Sequence, residues 1–162
     1  MKTLLLLRHA KSSWNNYSLS DHDRPLNRRG KSDAPRIGQL LSDENLVPDL
    51  ILCSTARRAK DTALAVADAS GFDGEIVYSR DLYHAGVDSF IWLLSDVYDR
   101  YDRVMLVAHN PGLEELLDYL TGVSEWLPTA ALVQISMPIH AWSEIADDAE
   151  GKFVALWRPK EL

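Results

Sequence analysis

Leu4-Leu5-Leu6-Leu7 runs straight into Arg8-His9, an apolar stretch of four residues that stops at two chemically capable side chains. Two later runs have the same form. Leu50-Ile51-Leu52-Cys53 leads into Ser54-Thr55-Ala56-Arg57-Arg58, and Val104-Met105-Leu106-Val107-Ala108 leads into His109-Asn110. Each is too short for a buried helix and lacks the alternation of a strand with one wet face, so each reads as a central strand covered on both sides. Between them, apolar residues recur at helical spacing: Ala34, Ile37, Leu40 and Leu41; Ala59, Ala63, Val66 and Ala67; Phe90, Ile91, Leu94 and Val97. Strands alternating with helices predict an α/β fold, a three-layer α/β/α sandwich whose mostly parallel central sheet carries helices on both faces. Glu75–Ser79 is a further strand candidate and Leu113–Leu120 a short helix after the Pro111-Gly112 turn. Ala131–Met137 and Phe153–Trp157 read as two late strands, with Asp147, Asp148, Glu150 and Gly151 as the turn joining them.

A chain of 162 residues, 46% hydrophobic, has the size of one compact domain, and no repeat, low-complexity tract or linker divides residues 1–162. A net charge of −7 argues against nucleic acid as the main partner, so any anion site has to be local. The single cysteine, Cys53, has no internal disulfide partner and no zinc-type spacing, which suits a reduced, cytoplasmic setting. The opening leucines imitate a signal peptide, but Arg8 ends the run short of the roughly seven apolar residues required. Nothing approaches the ~18 uninterrupted apolar residues of a membrane span, so no membrane association is expected.

In open α/β sheets ligands collect beyond the carboxyl ends of the strands. Here those ends carry Arg8-His9, Ser54 through Arg58, and His109-Asn110. Guanidinium forks match phosphate oxygens, and a neutral imidazole nitrogen can attack phosphorus, so the set suits phosphoryl chemistry without a metal or other cofactor.

The segment Leu7-Arg8-His9-Ala10-Lys11-Ser12-Ser13-Trp14-Asn15 resembles the R-H-G signature of the phosphoglycerate mutase-like histidine phosphatases, with Ala10 in place of the usual glycine. Three further segments follow in the family's order: Asp23-Arg24-Pro25-Leu26 with Gly30; Ser54-Thr55-Ala56-Arg57-Arg58-Ala59-Lys60-Asp61-Thr62-Ala63; and Val107-Ala108-His109-Asn110-Pro111-Gly112. The resemblance spans nearly the whole chain, which is similar to the SixA-type phosphohistidine phosphatases. It implies a phosphoglycerate mutase-like sheet, His9 as nucleophile, Arg8 and Arg58 as phosphate-binding arginines, and His109 as the second histidine. Arg24 takes a supporting place at the phosphate pocket, with Asn15 and Asn110 as further substrate-binding candidates, whereas Arg57 reads as a surface charge.

The expected mechanism keeps His9 neutral through its arginine neighbours and uses Arg8, Arg58 and a protonated His109 to hold the phosphoryl oxygens. The wider family uses a carboxylate after the third strand to protonate an alcohol leaving group. The corresponding stretch, Arg80-Asp81-Leu82-Tyr83-His84-Ala85-Gly86, has no glutamate. A departing imidazole is less basic than an alkoxide and needs less help, which favours a phosphohistidine protein as substrate. One alternative is a small phosphomonoester or diphosphate substrate with Asp81 or His84 as acid; another is a non-catalytic phosphate-binding or interaction module. Other motifs carry less. His22-Asp23 lacks the partners of a metal-dependent hydrolase, Cys53 stands one residue too near Arg58 for a C-x5-R loop, and Gly30-Lys31-Ser32 would place Pro25 at the first glycine of a phosphate loop.

Overall fold

The computed structural model describes residues 1–162. The first apolar run forms β1 (Lys2–Arg8), in which Leu4, Leu5, Leu6 and Leu7 are all fully buried. Because side chains alternate along a strand, Leu4 and Leu6 enter one hydrophobic cluster and Leu5 and Leu7 another. Burying a leucine this completely contributes about 1.5–3 kcal/mol.

The elements follow in order as α1 (Arg28–Asp43), β2 (Leu50–Ser54), α2 (Arg57–Ser70), β3 (Glu75–Ser79), α3 (Val87–Ser95), β4 (Arg103–Ala108), α4 (Gly112–Thr121), β5 (Leu132–Met137) and β6 (Lys152–Trp157). The six strands form one sheet in the order β3-β2-β4-β1-β5-β6. The four strands β3, β2, β4 and β1 run parallel, and β5 and β6 add an antiparallel edge. Helices α1 and α2 cover one face through Ile37, Leu41, Ala63 and Val66, while α3 and α4 cover the other through Phe90, Leu94, Leu116 and Leu117. This is the expected α/β sandwich. No helix is long and apolar enough to cross a membrane.

The link between β5 and β6 is more than the turn that its acidic residues suggest. It includes a 3₁₀ helix, Trp142–Ala146, whose fully buried Trp142 donates its indole N–H to the Tyr101 carbonyl at 2.7 Å. Packing of that indole in the α3/α4 core is a tertiary effect that local composition does not signal.

Strand order sets the site. β4 lies between β2 and β1, so the residue following β4, His109, is flanked by the ends of the other two, Ser54 and His9. The loop leaving β1 is pinned to the start of α1 by Asn27 N–H to the Lys11 carbonyl (2.9 Å) and Ser13 N–H to the Pro25 carbonyl (2.8 Å). Gly30 permits this approach, since a Cβ there would lie 2.2 Å from the Lys11 carbonyl oxygen. Gly30→Ala is therefore expected to lower unfolding free energy by about 1–3 kcal/mol, measured by urea titration. A change within error would mean that the loop yields freely.

Candidate active site

An open cleft at the carboxyl ends of β1, β2 and β4 is lined by Arg8, His9, Arg24, Arg58 and His109, together with Asp21, Trp14, His84 and Asn110. His9, Arg24, Arg58 and His109 are each less than a tenth exposed. The two imidazoles lie with ring centroids 5.0 Å apart.

His9 extends the β1 ladder, its N–H bonding the Ala108 carbonyl at 3.0 Å. Its ring Nδ1 lies 2.8 Å from the carbonyl of Ala10. A carbonyl only accepts, so Nδ1 carries the proton and the neutral ring keeps its lone pair on Nε2. Burial pushes His9 down to about 3; the Ala10 bond opposes it, and the charges of Arg58, Arg8 and Arg24 each add a smaller downward push. Ala10 is held in turn: its N–H donates to Thr62 Oγ1 at 2.9 Å, and that hydroxyl donates to the Arg58 carbonyl at 2.6 Å. Thr62 thus ties the start of α2 to the backbone that orients His9.

His109 Nε2 lies 2.8 Å from Ser54 Oγ, which also accepts the Ala56 N–H at 3.2 Å. Burial, and then His9, Arg58 and His84, depress His109 to about 3, with Asp21 opposing. The protein's own groups therefore favour a neutral His109 at pH 7, away from solvent and beside the Arg58 guanidinium, where the sequence led to an imidazolium on the phosphoryl group.

Asp21 is the residue the sequence reading missed. Its Oδ1 accepts from Arg24 Nε and its Oδ2 from Arg58 at 3.1 Å, its backbone carbonyl takes a second Arg58 bond at 2.7 Å, and the Tyr83 hydroxyl donates to Oδ2. Burial works against ionisation, but Tyr83, Arg58 and Arg24 outweigh it and hold Asp21 at about 2. The one available signal was its place three residues before Arg24, an ion-pairing distance in a turn.

The other sequence candidates separate. Arg24 lies 3.4 Å from the ring centroid of Trp14, which is exposed on the cleft rim. Asn110 lines the cleft but spends its amide N–H groups on Glu114 and the Leu127 carbonyl. His84 faces the cleft from a backbone with φ of 59°, an uncommon conformation outside glycine. Asn15 and Asp81 are exposed and do not line it. Arg57 pairs with Asp61 at 3.6 Å on the surface, and burial pushes the Cys53 thiol upward.

The buried histidines fix a pH dependence. Their folded pKa lies below the unfolded 6.5, so the unfolded chain takes up protons first as pH falls. Stability is full above pH 6.5 and is lost towards pH 3, at on the order of 1 kcal/mol per pH unit for each histidine. The double substitution His9→Gln, His109→Gln is expected to flatten the acid limb of the urea midpoint between pH 6.5 and 4. An unchanged limb would mean that these rings are not buried neutral.

Fold and cleft together define an α/β protein that gathers two neutral imidazoles and three guanidiniums at the carboxyl ends of parallel strands. Residues 4–90 match the family model of the histidine phosphatase superfamily (branch 1), and the chain belongs to that superfamily. It is 34% identical over 152 residues to an uncharacterized chloroplastic protein of Arabidopsis thaliana, covering 88% of this chain and 70% of that one. Among solved structures it matches an Agrobacterium tumefaciens protein assigned as a SixA phosphohistidine phosphatase, at TM-score 0.84 and 30% identity over 98% of both chains. A protein histidine phosphatase SixA in complex with tungstate shares the fold at TM-score 0.85 and 18% identity, again over 98% of both chains.

Proposed function

We propose that residues 1–162 act as one metal-independent phosphatase domain that forms phospho-His9 and removes phosphate from phosphohistidine on a protein partner. The observation that carries this reading is a set of orphan donors. Arg8 Nε, Arg24 Nη1, Arg58 Nε and His109 Nδ1 are buried without a hydrogen-bond partner, and all belong to residues lining the cleft. Unpaired buried donors are costly, on the order of 1–3 kcal/mol each, and the equatorial oxygens of a phosphoryl group would satisfy them.

In this mechanism His9 Nε2 attacks phosphorus in line, the bond from phosphorus to the substrate nitrogen breaks, and its electron pair leaves with the imidazole, which takes a proton from solvent. Ser54 Oγ accepts Ala56 N–H and lies 2.8 Å from His109 Nε2; with the Ser54 hydroxyl donating a hydrogen bond to Nε2, neutral His109 carries its own proton on Nδ1 and presents that N–H to the phosphoryl oxygens. Water then attacks phospho-His9, releasing inorganic phosphate and restoring the imidazole. Asp21, ionised beside two guanidiniums, is a poor proton donor, which supports a leaving group that needs no strong acid.

A second reading, a small phosphomonoester or diphosphate with His84 as acid, is favoured only by the position of His84 on the cleft. Phosphate release from a phosphohistidine protein and from an aryl phosphate, both in EDTA, separates them. Preferred release from phosphohistidine is expected. Inhibition by EDTA would overturn metal independence, and aryl phosphate preference with a pH profile altered by His84→Ala would install the second reading.

A further inference from the structure

Beside the cleft lies a second cavity of about 290 Å³, walled by Arg8, Lys11, Arg29, Arg158 and Lys160, with Trp126 on its rim. It shares Arg8, Lys11 and Thr129 with the cleft, so the two spaces adjoin along the Arg8 side chain. Counting Arg24 and Arg58 in the cleft, seven of the 17 basic residues of a chain with net charge −7 border these two spaces.

Some of these cations are already matched. Arg158 pairs with Glu125 at 3.1 Å and with Glu161, the one carboxylate among the lining residues, at 3.5 Å. Arg29 lies 3.4 Å from Asp33. Arg8, Lys11 and Lys160 have no carboxylate within 4 Å, and Arg8 spends one N–H on the Leu127 carbonyl at 3.0 Å. Three cations without a direct carboxylate contact border one small concavity, and their positive potential favours an anion entering it.

We infer that this cavity is a subsite for a second anionic group, a carboxylate or phosphate, carried by the phosphorylated substrate. The inference rests on the phosphatase reading of the cleft and adds a substrate class to it. Arg8 then touches both anions and sets the spacing at which a substrate is accepted. The cavity is too small for a second folded element, whereas a carboxylate side chain or a phosphate fits within it.

The test compares wild type with Arg29→Gln, Lys160→Gln, two residues that line the side cavity and not the cleft. Four substrates are used: phosphohistidine peptides flanked by glutamate or by glutamine, and a hexose 1,6-bisphosphate or the 6-phosphate. Wild type is expected to show about tenfold lower KM for the doubly anionic member of at least one pair, the scale of one charge-assisted contact. The double variant is expected to lose that preference while turning over the singly anionic member as wild type does. Preference within the peptide pair assigns the anion to an acidic side chain of a protein, and preference within the sugar pair assigns it to a small substrate. Equal KM within both pairs, or a preference that survives in the double variant, overturns the inference. Calorimetric binding of the two hexose phosphates to His9→Ala protein reads the same preference without turnover, so a failure of the phosphatase reading would show as four inert substrates while the subsite is still decided.

Discussion

Substituting alanine for His9 is expected to lower turnover by about 10⁴-fold or more, the scale reached when a covalent nucleophile is removed, while inorganic phosphate still binds. The expectation follows from how the ring is held. Its Nδ1–H is committed to the Ala10 carbonyl, its lone pair is left on Nε2, and burial with three neighbouring guanidiniums keeps it unprotonated across the physiological range. Arg8, Arg24, Arg58 and His109 remain in the variant to bind the anion. Initial rates on a phosphohistidine protein, with calorimetric phosphate titration, check both halves. Activity within tenfold of wild type would remove His9 from the chemistry.

Arg58→Ala is the second large effect. This guanidinium is 5% exposed, holds the Asp21 backbone carbonyl at 2.7 Å and its carboxylate at 3.1 Å, and leaves Nε without a partner. Truncation removes a donor from the charge that develops on phosphorus, and leaves the Asp21 carboxylate facing the substrate with Arg24 as its remaining guanidinium. A fall in kcat/KM of about 10³-fold is expected. Arg58→Lys is expected to recover little, because a single ammonium cannot span the Asp21 carbonyl, its carboxylate and a phosphoryl oxygen together. Steady-state rates for the two variants decide this, and an Arg58→Lys enzyme within tenfold of wild type would show that charge alone suffices.

The central strands were legible because each had to be covered on both faces, which leaves an uninterrupted apolar run with little choice of reading. Leu4–Leu7, Leu50–Cys53 and Val104–Ala108 became β1, β2 and β4 with little change of boundary. Which strands neighbour which was not legible. A run of leucines identifies a strand but not its partner, and β4 between β2 and β1 is what brings His109 beside Ser54 and His9.

The site divides along the same line. Arg8, His9, Arg58 and His109 could be placed because each adjoins the end of a recognisable element. Asp21 and Tyr83 could not, since they meet across 62 positions from two separate loops. The neutral state that the protein's own groups favour for His109 was not legible for a related reason: it is set by burial and by His9 and Arg58, which only the packed structure supplies. Thr62 was visible as a helix residue, but its bond to the Ala10 backbone required α2 to be seen docked on β1.

In the proposed mechanism phosphate passes through His9. The most direct test is to mix the protein with a ³²P-phosphohistidine substrate, quench in alkali within the first turnovers, and map the label by peptide. An alkali-stable, acid-labile phosphate is expected on the peptide containing His9, absent from His9→Ala. Label on any other residue, or rapid phosphate release with no labelled protein at any time, would contradict the mechanism.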